Sequence, residues 1–436
     1  MGPRGWWSGK KQPMSGASNQ KNITLLALTL AVVMLGFGVV IPVFPFYIKG
    51  MGASGDELGL LIAISPLMQL ICAPVWGNIS DRIGRKPVLM AGILGYGLSM
   101  FFFGLATQLW MLYVIRGLGA LLSAATLPTT NAYVGDSTAE NERSGAMGIL
   151  GAATGLGMML GPALGGWLAA GSLATPFFIT AAFCLLTLIL IAALLPESLP
   201  ASARGDAAGA GQPISSLWHP ERSEASYSAG MPRAPRVSRD RELWQALFGP
   251  LGILLLLTAV ASFGLANFQG VFGLYGMQRF GFGTQEVGWI MTAAAVVAAT
   301  GQGALTGPLS KRWGDLAVMR AAFLFSSITF MLLLLAVNFW TALAATALFV
   351  LPNSLVRVAL TSLTSQRAGV GQGAAMGLSH AFMSLGRIIG PLLAGVLFDL
   401  DLRLPYLVGA AAMAIGLVIS LAWMAQPRGP AVEAGA

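Results

Sequence analysis

Charge is what this sequence has least of. Only 10% of its 436 residues are Asp, Glu, Lys or Arg, 56% are hydrophobic, and mean hydropathy is +0.73. Soluble domains carry about 25% charged residues, and a soluble chain of this size needs far more polar surface to cover its core. The scarcity excludes a large soluble helical protein and sets most of the chain against lipid or other lipid-embedded helices. Cysteine is almost as rare. Cys72 and Cys184 both sit in apolar runs and read as small packing residues, not as a disulfide or a metal pair. There are two histidines, His219 in a polar stretch and His380 in an apolar one. No cluster of His, Cys and acids has metal-ligand spacing and no catalytic constellation is evident, which argues against an enzyme, a metal site and a cofactor.

Long apolar runs, by contrast, abound. A spanning helix needs about 20 mostly apolar residues. Twelve stretches qualify: 23–48, 57–79, 87–107, 109–134, 144–168, 174–195, 246–276, 286–308, 316–337, 340–365, 372–398 and 404–425. The expected fold class is an all-α membrane protein of two six-helix bundles. The first run is too long for a signal peptide, lacks a small-residue cleavage site and is followed by eleven more. The expected domains are a tail at 1–22, a bundle at 23–195, a Gly-, Pro-, Ser- and Arg-rich linker at 196–245, a second bundle at 246–425 and a tail at 426–436.

The net charge of +8 is a topology signal rather than a nucleic-acid one. With the N-terminus placed in the cytoplasm, the opposite side holds only Lys49, Arg279 and Arg403. Arg116, Arg357 and Arg387 fall within spans, and the other lysines and arginines lie on the cytoplasmic side, together with both termini.

The two halves repeat. "GPALGG" from Gly161 matches "GPLLAG" from Gly390, "GAMG" ending at Gly148 matches "AAMG" ending at Gly377, and Glu57 matches Glu286, all at an offset of 229. "GNISDRIG" from Gly77 matches "GPLSKRWG" from Gly307 at 230. Duplicated halves with substrate bound between them are a transporter arrangement.

With these residues in view, the chain resembles the major facilitator superfamily over nearly its whole length. Within it, the likeness is to the twelve-span drug:proton antiporters of the NorA-like multidrug and tetracycline type. "GNISDRIGRKPVL" is similar to the superfamily loop signature, with Ile79 in a leucine place. "LGFGVVIPVFP", Leu35 to Pro45, and "RGLGALLSAATLPTTNAYVGD" resemble the first and fourth helices of these antiporters. "GMMLGPALGG", Gly157 to Gly166, resembles their fifth-helix signature, and "GLSHAFMSLGRIIGPLLAGVLFD" resembles helix eleven.

The resemblance implies export of amphiphilic drugs or small organic metabolites by alternating access, in exchange for protons, by a monomer of the inner cell membrane. The same fold could instead serve a facilitator or importer of one narrow solute without proton coupling, or a receptor that transports nothing. A gating latch is implied at Gly77, Asp81, Arg82, Gly84, Arg85, Lys86 and Asp136. An acid at the C-terminus of the second helix opposes that helix's dipole and calls for a positive partner, which the resemblance implies is the N-terminus of helix eleven near Gln372 to Ala375. Arg85 should pair with Asp136, Gly77 should allow a close helix contact and Gly84 a tight turn. Gly157, Gly161 and Gly165 share one helix face. With Pro162 and Gly166 they form the antiporter motif, which the resemblance sets against helix eight.

For coupling, the resemblance points to Arg116, which begins a small polar face continuing through Gly119, Ser123, Thr126 and Thr130. His380 and Arg387 are the other coupling candidates; with Ser384 they share a face of helix eleven, where Arg387 is expected to pack rather than to recognise substrate. Histidine is the side chain whose charge changes near neutral pH. Pocket candidates are Phe37, Phe46, Met68, Met158, Met159, Asn267, Gln269, Phe272, Tyr275, Gln302, Phe382 and Met383, an apolar and aromatic set with a few polar points. One departure stands out. NorA-like relatives often carry an acid after a phenylalanine in helix seven, where this chain has Phe268-Gln269, and no Asp or Glu lies near the middle of any span.

Overall fold

The computed structural model describes residues 16–138, 140–199, 248–367 and 372–424. The expected linker at 196–245 lies outside the described residues except for 196–199, as do most of the two expected tails.

Twelve helices are long and apolar enough to cross a membrane. They are α1 (Gln20–Lys49), α2 (Gly55–Ile83), α3 (Arg85–Leu105), α4 (Leu109–Ser137), α5 (Gly145–Leu168), α6 (Thr175–Leu194), α7 (Pro250–Phe280), α8 (Thr284–Trp313), α9 (Asp315–Leu334), α10 (Phe339–Gln366), α11 (Ala375–Leu400) and α12 (Leu404–Ala422). No strand occurs among the described residues. α8 runs past the expected end at 308 because Lys311 and Arg312 fit its last turn, where cations complement the negative end of the helix dipole.

The repeat seen in the sequence has a physical counterpart at each matched position. Glu57 caps the start of α2 by accepting from Ser54 N–H at 2.9 Å, and Glu286 caps α8 by accepting from Gly283 N–H at 2.9 Å. The turns that follow these two helices close on Gly84 at φ +112° and Gly314 at φ +79°, backbone states that only glycine adopts without strain. Within the first half α5 packs on α1, and within the second α11 packs on α7. A Cβ on Gly161 would stand 2.6 Å from Gly38 Cα, and one on Gly390 would stand 2.8 Å from the Phe263 carbonyl oxygen. No side chain larger than hydrogen fits at either contact.

The slip from an offset of 229 to 230 also has a location. Gly59 and Gly288 are still 229 apart, whereas Gly84 and Gly314 are 230 apart. Between them α8 contains one π-helical turn, Gly301–Leu305, with the Thr306 hydroxyl donating to the Gly301 carbonyl at 3.0 Å. A π-turn absorbs one extra residue within a helix, and such turns recur at functional sites.

Candidate substrate cavity and its two gates

The Gly77–Lys86 loop is organised around a buried Arg85. Its guanidinium pairs with Asp81 at 2.5 Å and with Asp136 at 3.0 Å, and donates to the Ser80 hydroxyl at 2.6 Å. These contacts tie the ends of α2, α3 and α4 together. Glu197, just after α6, accepts from the backbone N–H of Arg85 at 2.8 Å and of Lys86 at 3.2 Å, so an acid covers the positive start of α3. Lys86 Nζ donates to the Ala192 carbonyl in the last turn of α6 at 2.7 Å, while Arg82 is exposed. One expectation is corrected here: Gly77, foreseen as a close helix contact, has nothing within 4 Å of a would-be Cβ among the described residues. Asp81 pairs with Arg85 of its own half, while the side chains at 372–374, at the start of α11 that it was expected to face, lie outside the described residues. Among the described residues, the contacts between the halves gather at the other end of the bundle.

At that far end the seam is closed backbone to backbone. Gly166 of α5 abuts Thr284 of α8, whose hydroxyl donates to the Gly166 carbonyl at 3.1 Å. A Cβ on Gly288 would stand 2.6 Å from the Pro162 carbonyl oxygen. The matched pair sits across the molecule: Gly59 abuts Pro391, and Gly395 abuts Gly55. One contact there has no counterpart in the repeat. Asp399, in the last turn of α11, accepts from the N–H groups of Gly55 at 2.8 Å and Asp56 at 2.9 Å. An acid at the unfavourable end of its own helix thus meets the favourable end of α2. The same physics was expected of Asp81 at the opposite end of the same two helices.

The fifth-helix glycines split between two partners. Gly157, Gly161 and Gly165 face Ala31, Leu35, Gly38 and Val39 of α1, not α8. Only Gly166 and the Pro162 carbonyl reach α8. The reason is spacing: residues at i, i+4 and i+8 share a face, and Gly166 lies one residue, about 100°, round the helix from Gly165.

Inside the bundle, Arg357 of α10 and Arg387 of α11 are both surface-accessible and both enclosed by protein atoms. Side chains that are open and yet surrounded by protein line a cleft or space within the bundle. Arg387 was expected to pack; instead it stands open near the middle of its helix, close enough to Arg357 to act on it electrostatically. Arg357 Nη2 donates to Gln302 Oε1 at 3.0 Å, and Gln302 lies in the π-turn of α8. His380 is exposed on the same helix face as Arg387, and the Ser384 hydroxyl between them donates to the His380 carbonyl at 3.0 Å.

The remaining pocket candidates divide. Phe37, Phe46, Met68, Met158, Met159, Gln269, Gln302, Phe382 and Met383 are half-buried. Asn267, Phe272 and Tyr275 are not on a cavity wall. Asn267 Nδ2 donates to the Pro405 carbonyl at 2.9 Å, Phe272 packs on Phe268 at 4.9 Å, and Tyr275 packs on Tyr406 at 4.6 Å. They are core of the second half, because α7 turns that face toward α10 and α12 rather than toward α1. Arg116 is also buried, its guanidinium over Phe44 at 5.3 Å and Phe103 at 6.0 Å. The small residues following it serve α3, since a Cβ on Gly119 would collide with Ser99 and one on Gly92 would stand 2.7 Å from the Thr126 hydroxyl.

Two six-helix halves, a duplicated glycine seam and an enclosed polar interior describe a membrane transporter fold. The family description "Major Facilitator Superfamily" matches residues 26–283 and again 254–435. The chain belongs to the Major Facilitator Superfamily. It is 32% identical to Multidrug resistance protein 1 of Bacillus subtilis, over 93% of this chain and 97% of that protein. It is 27% identical to Quinolone resistance protein NorA of Staphylococcus aureus, over 92% and 96%. Among solved structures it is similar to a bacterial homolog of the human lysosomal transporter Spinster in an inward-facing, unoccupied conformation. That match has a TM-score of 0.71 at 17% identity and covers 94% of this chain and 96% of the other. The human organic anion transporter MFSD10 gives a TM-score of 0.63 at 21% identity, covering 92% and 99%. At these identities the structural likeness is one of fold.

Two residues that shape this superfamily chain, Asp399 and Glu197, escaped the sequence reading, and a third was named without its partner. Asp399 reads as a lone acid after an apolar run, yet its place at a helix C-terminus was the same clue that singled out Asp81. Glu197 looked like part of the linker expected from residue 196. Gln302 was noticed as a polar point, but the arginine it meets is set by the π-turn, whose sole trace in the sequence is the one-residue slip of the repeat.

Proposed function

We propose that this multi-pass membrane protein is a secondary active exporter of amphiphilic small molecules that works by alternating access in exchange for protons. The observation that carries the reading is the asymmetry of the seam. The halves are welded by glycines, Thr284 and Asp399 at one end, while their described contacts thin out toward the Gly77–Lys86 loop. The excess of Lys and Arg makes the loop end cytoplasmic, so the conformation is one that admits substrate from the cytoplasm. The kinship with multidrug resistance proteins supports the substrate class and the direction of transport. Asp399 and Asp81 then form a reciprocal pair of latches on α2 and α11, one made while the other is open.

Proton exchange needs a group that is reached from both sides in turn. Glu57 and Glu286 are spent on helix caps, and Asp136 on Arg85. His380 is left as the carrier on the interior face. The His380→Gln variant is expected to bind ligand as wild type does while its dye efflux no longer follows an imposed pH gradient in proteoliposomes. Full gradient-driven efflux by this variant would make the histidine structural. Wild-type transport indifferent to the gradient would replace the exchanger with a facilitator, a reading that the absence of acids from the middle of the spans keeps open.

A second variant tests the interior charge. Gln269 is half-buried on α7, at the place where the resemblance to NorA-like exporters implies that an acid is often found. Gln269→Glu is expected to raise export of a lipophilic cation several-fold, read as the initial rate of tetraphenylphosphonium efflux. An unchanged rate at equal expression would remove Gln269 from the cavity wall.

A further inference from the structure

The interior carries two positive charges and no described negative one. Arg357 and Arg387 both line it. Every described carboxylate lies in the first or last turn of a helix or in a loop. Those nearest the ends of the lining helices are already engaged: Asp315 accepts from Ser362 and Gln366, Asp399 from the start of α2, and Asp81 and Asp136 are paired with Arg85. Gln302 offers Arg357 one neutral acceptor at 3.0 Å, which leaves the charge itself uncompensated. Arg387 has no hydrogen-bond acceptor among the described residues, although its guanidinium has five donors to satisfy.

Uncompensated guanidiniums at mid-membrane depth are costly, and such residues in a transporter mark the substrate path. A guanidinium is shaped for a planar anion, which it binds by two parallel charge-assisted hydrogen bonds. Met383, one turn before Arg387 on the same face of α11, is half-buried, so an apolar body can lie beside the anion.

We propose that the transported substrates are amphiphilic organic anions, apolar molecules bearing a carboxylate, with the acid group seated between Arg387 and Arg357. The π-turn has a part in this. By presenting Gln302 to Arg357 it fixes the orientation of one guanidinium and leaves the other free to close on the ligand. The proposal rests on the exporter reading for the direction of movement, and on the cavity alone for the charge of the ligand.

The test uses the full-length protein in detergent for binding and in proteoliposomes for transport, with three probes: pyrenebutyrate, its methyl ester and tetraphenylphosphonium. The carboxylate is expected to bind about tenfold more tightly than the ester, the ratio that corresponds to about 1.4 kcal/mol. Arg387→Gln should erase that preference while leaving ester binding as it was, and Arg387→Lys should restore part of it by keeping charge without the fork. Tetraphenylphosphonium bound as tightly as the carboxylate, or a preference indifferent to Arg387→Gln, overturns the proposal, as does binding of none of the three. Arg387-dependent carboxylate binding without movement of any probe would leave the anion site standing and sink the exporter reading instead.

Discussion

Gly161→Leu is expected to reduce transport to background while the chain still inserts in the membrane. The would-be Cβ already stands 2.6 Å from Gly38 Cα and 2.6 Å from the Leu35 carbonyl oxygen, both backbone atoms of α1. Flexible side chains can move aside, but two helix backbones must separate along their length. Overpacking of a well-packed core costs about 1–3 kcal/mol when side chains can rearrange, and here they cannot. Pushing α5 off α1 also carries Gly166 away from Thr284, so the seam to α8 opens with it. The matched control is Leu160→Phe, one residue away on a face that is 48% exposed, which should transport normally. The check is efflux at equal membrane expression together with thermal unfolding in detergent. A fully active, normally stable Gly161→Leu protein would mean that α1 and α5 do not approach this closely.

The second large effect concerns the balance between the two ends. Asp399→Asn should favour the conformation open at the far end, and Asp81→Asn the conformation open at the loop end. Each substitution keeps the shape of the side chain and removes a charge, which at Asp399 faces the N-terminus of α2 and at Asp81 is proposed to face that of α11 once the loop end closes. A charge so placed contributes about 0.3–1 kcal/mol, and up to about 2 kcal/mol when partly buried. By the same scale the ratio of the two conformations should shift about twofold to thirtyfold, in opposite directions. Asp399 holds two backbone N–H groups at 2.8 and 2.9 Å, so its effect should be the larger in the conformation seen here. Distances between spin labels across each end, measured by pulsed electron resonance, read the shift directly. Transport should fall in both variants, because a cycle biased to either side waits on the disfavoured step. Shifts in the same direction, or none in either variant, would dissolve the idea of reciprocal latches.

Much of the architecture was legible because a bilayer makes few demands, all of them visible in one dimension. A span must be about 20 apolar residues long, its charged ends must stay in water, and positive charge marks one side. The twelve stretches therefore coincide with the twelve helices to within a few residues at most ends. The repeat was legible for a related reason. Glu57 and Glu286 each cap a helix, and Gly84 and Gly314 each close a turn at positive φ, so duplication preserved residues whose backbone roles tolerate no substitute. The link between Arg85 and Asp136 was legible only through the likeness of the Gly77–Lys86 stretch to the superfamily loop signature.

What the chain does inside the bundle was decided by tertiary structure. In lipid, the face a helix shows to the acyl chains is as apolar as the face it buries, so hydropathy does not reveal which way a span is turned. Asn267, Phe272 and Tyr275 were read as cavity wall and are core, while Arg387 was read as packing and lines the cavity. Gly157, Gly161 and Gly165 were legible as a close contact, but the choice of α1 over α8 depends on how α5 is rotated. Asp81 and Asp399 carry the same chemistry at opposite ends of α2 and α11. That Asp399 meets the start of α2 depends on how the two halves pack, which no stretch of sequence displays.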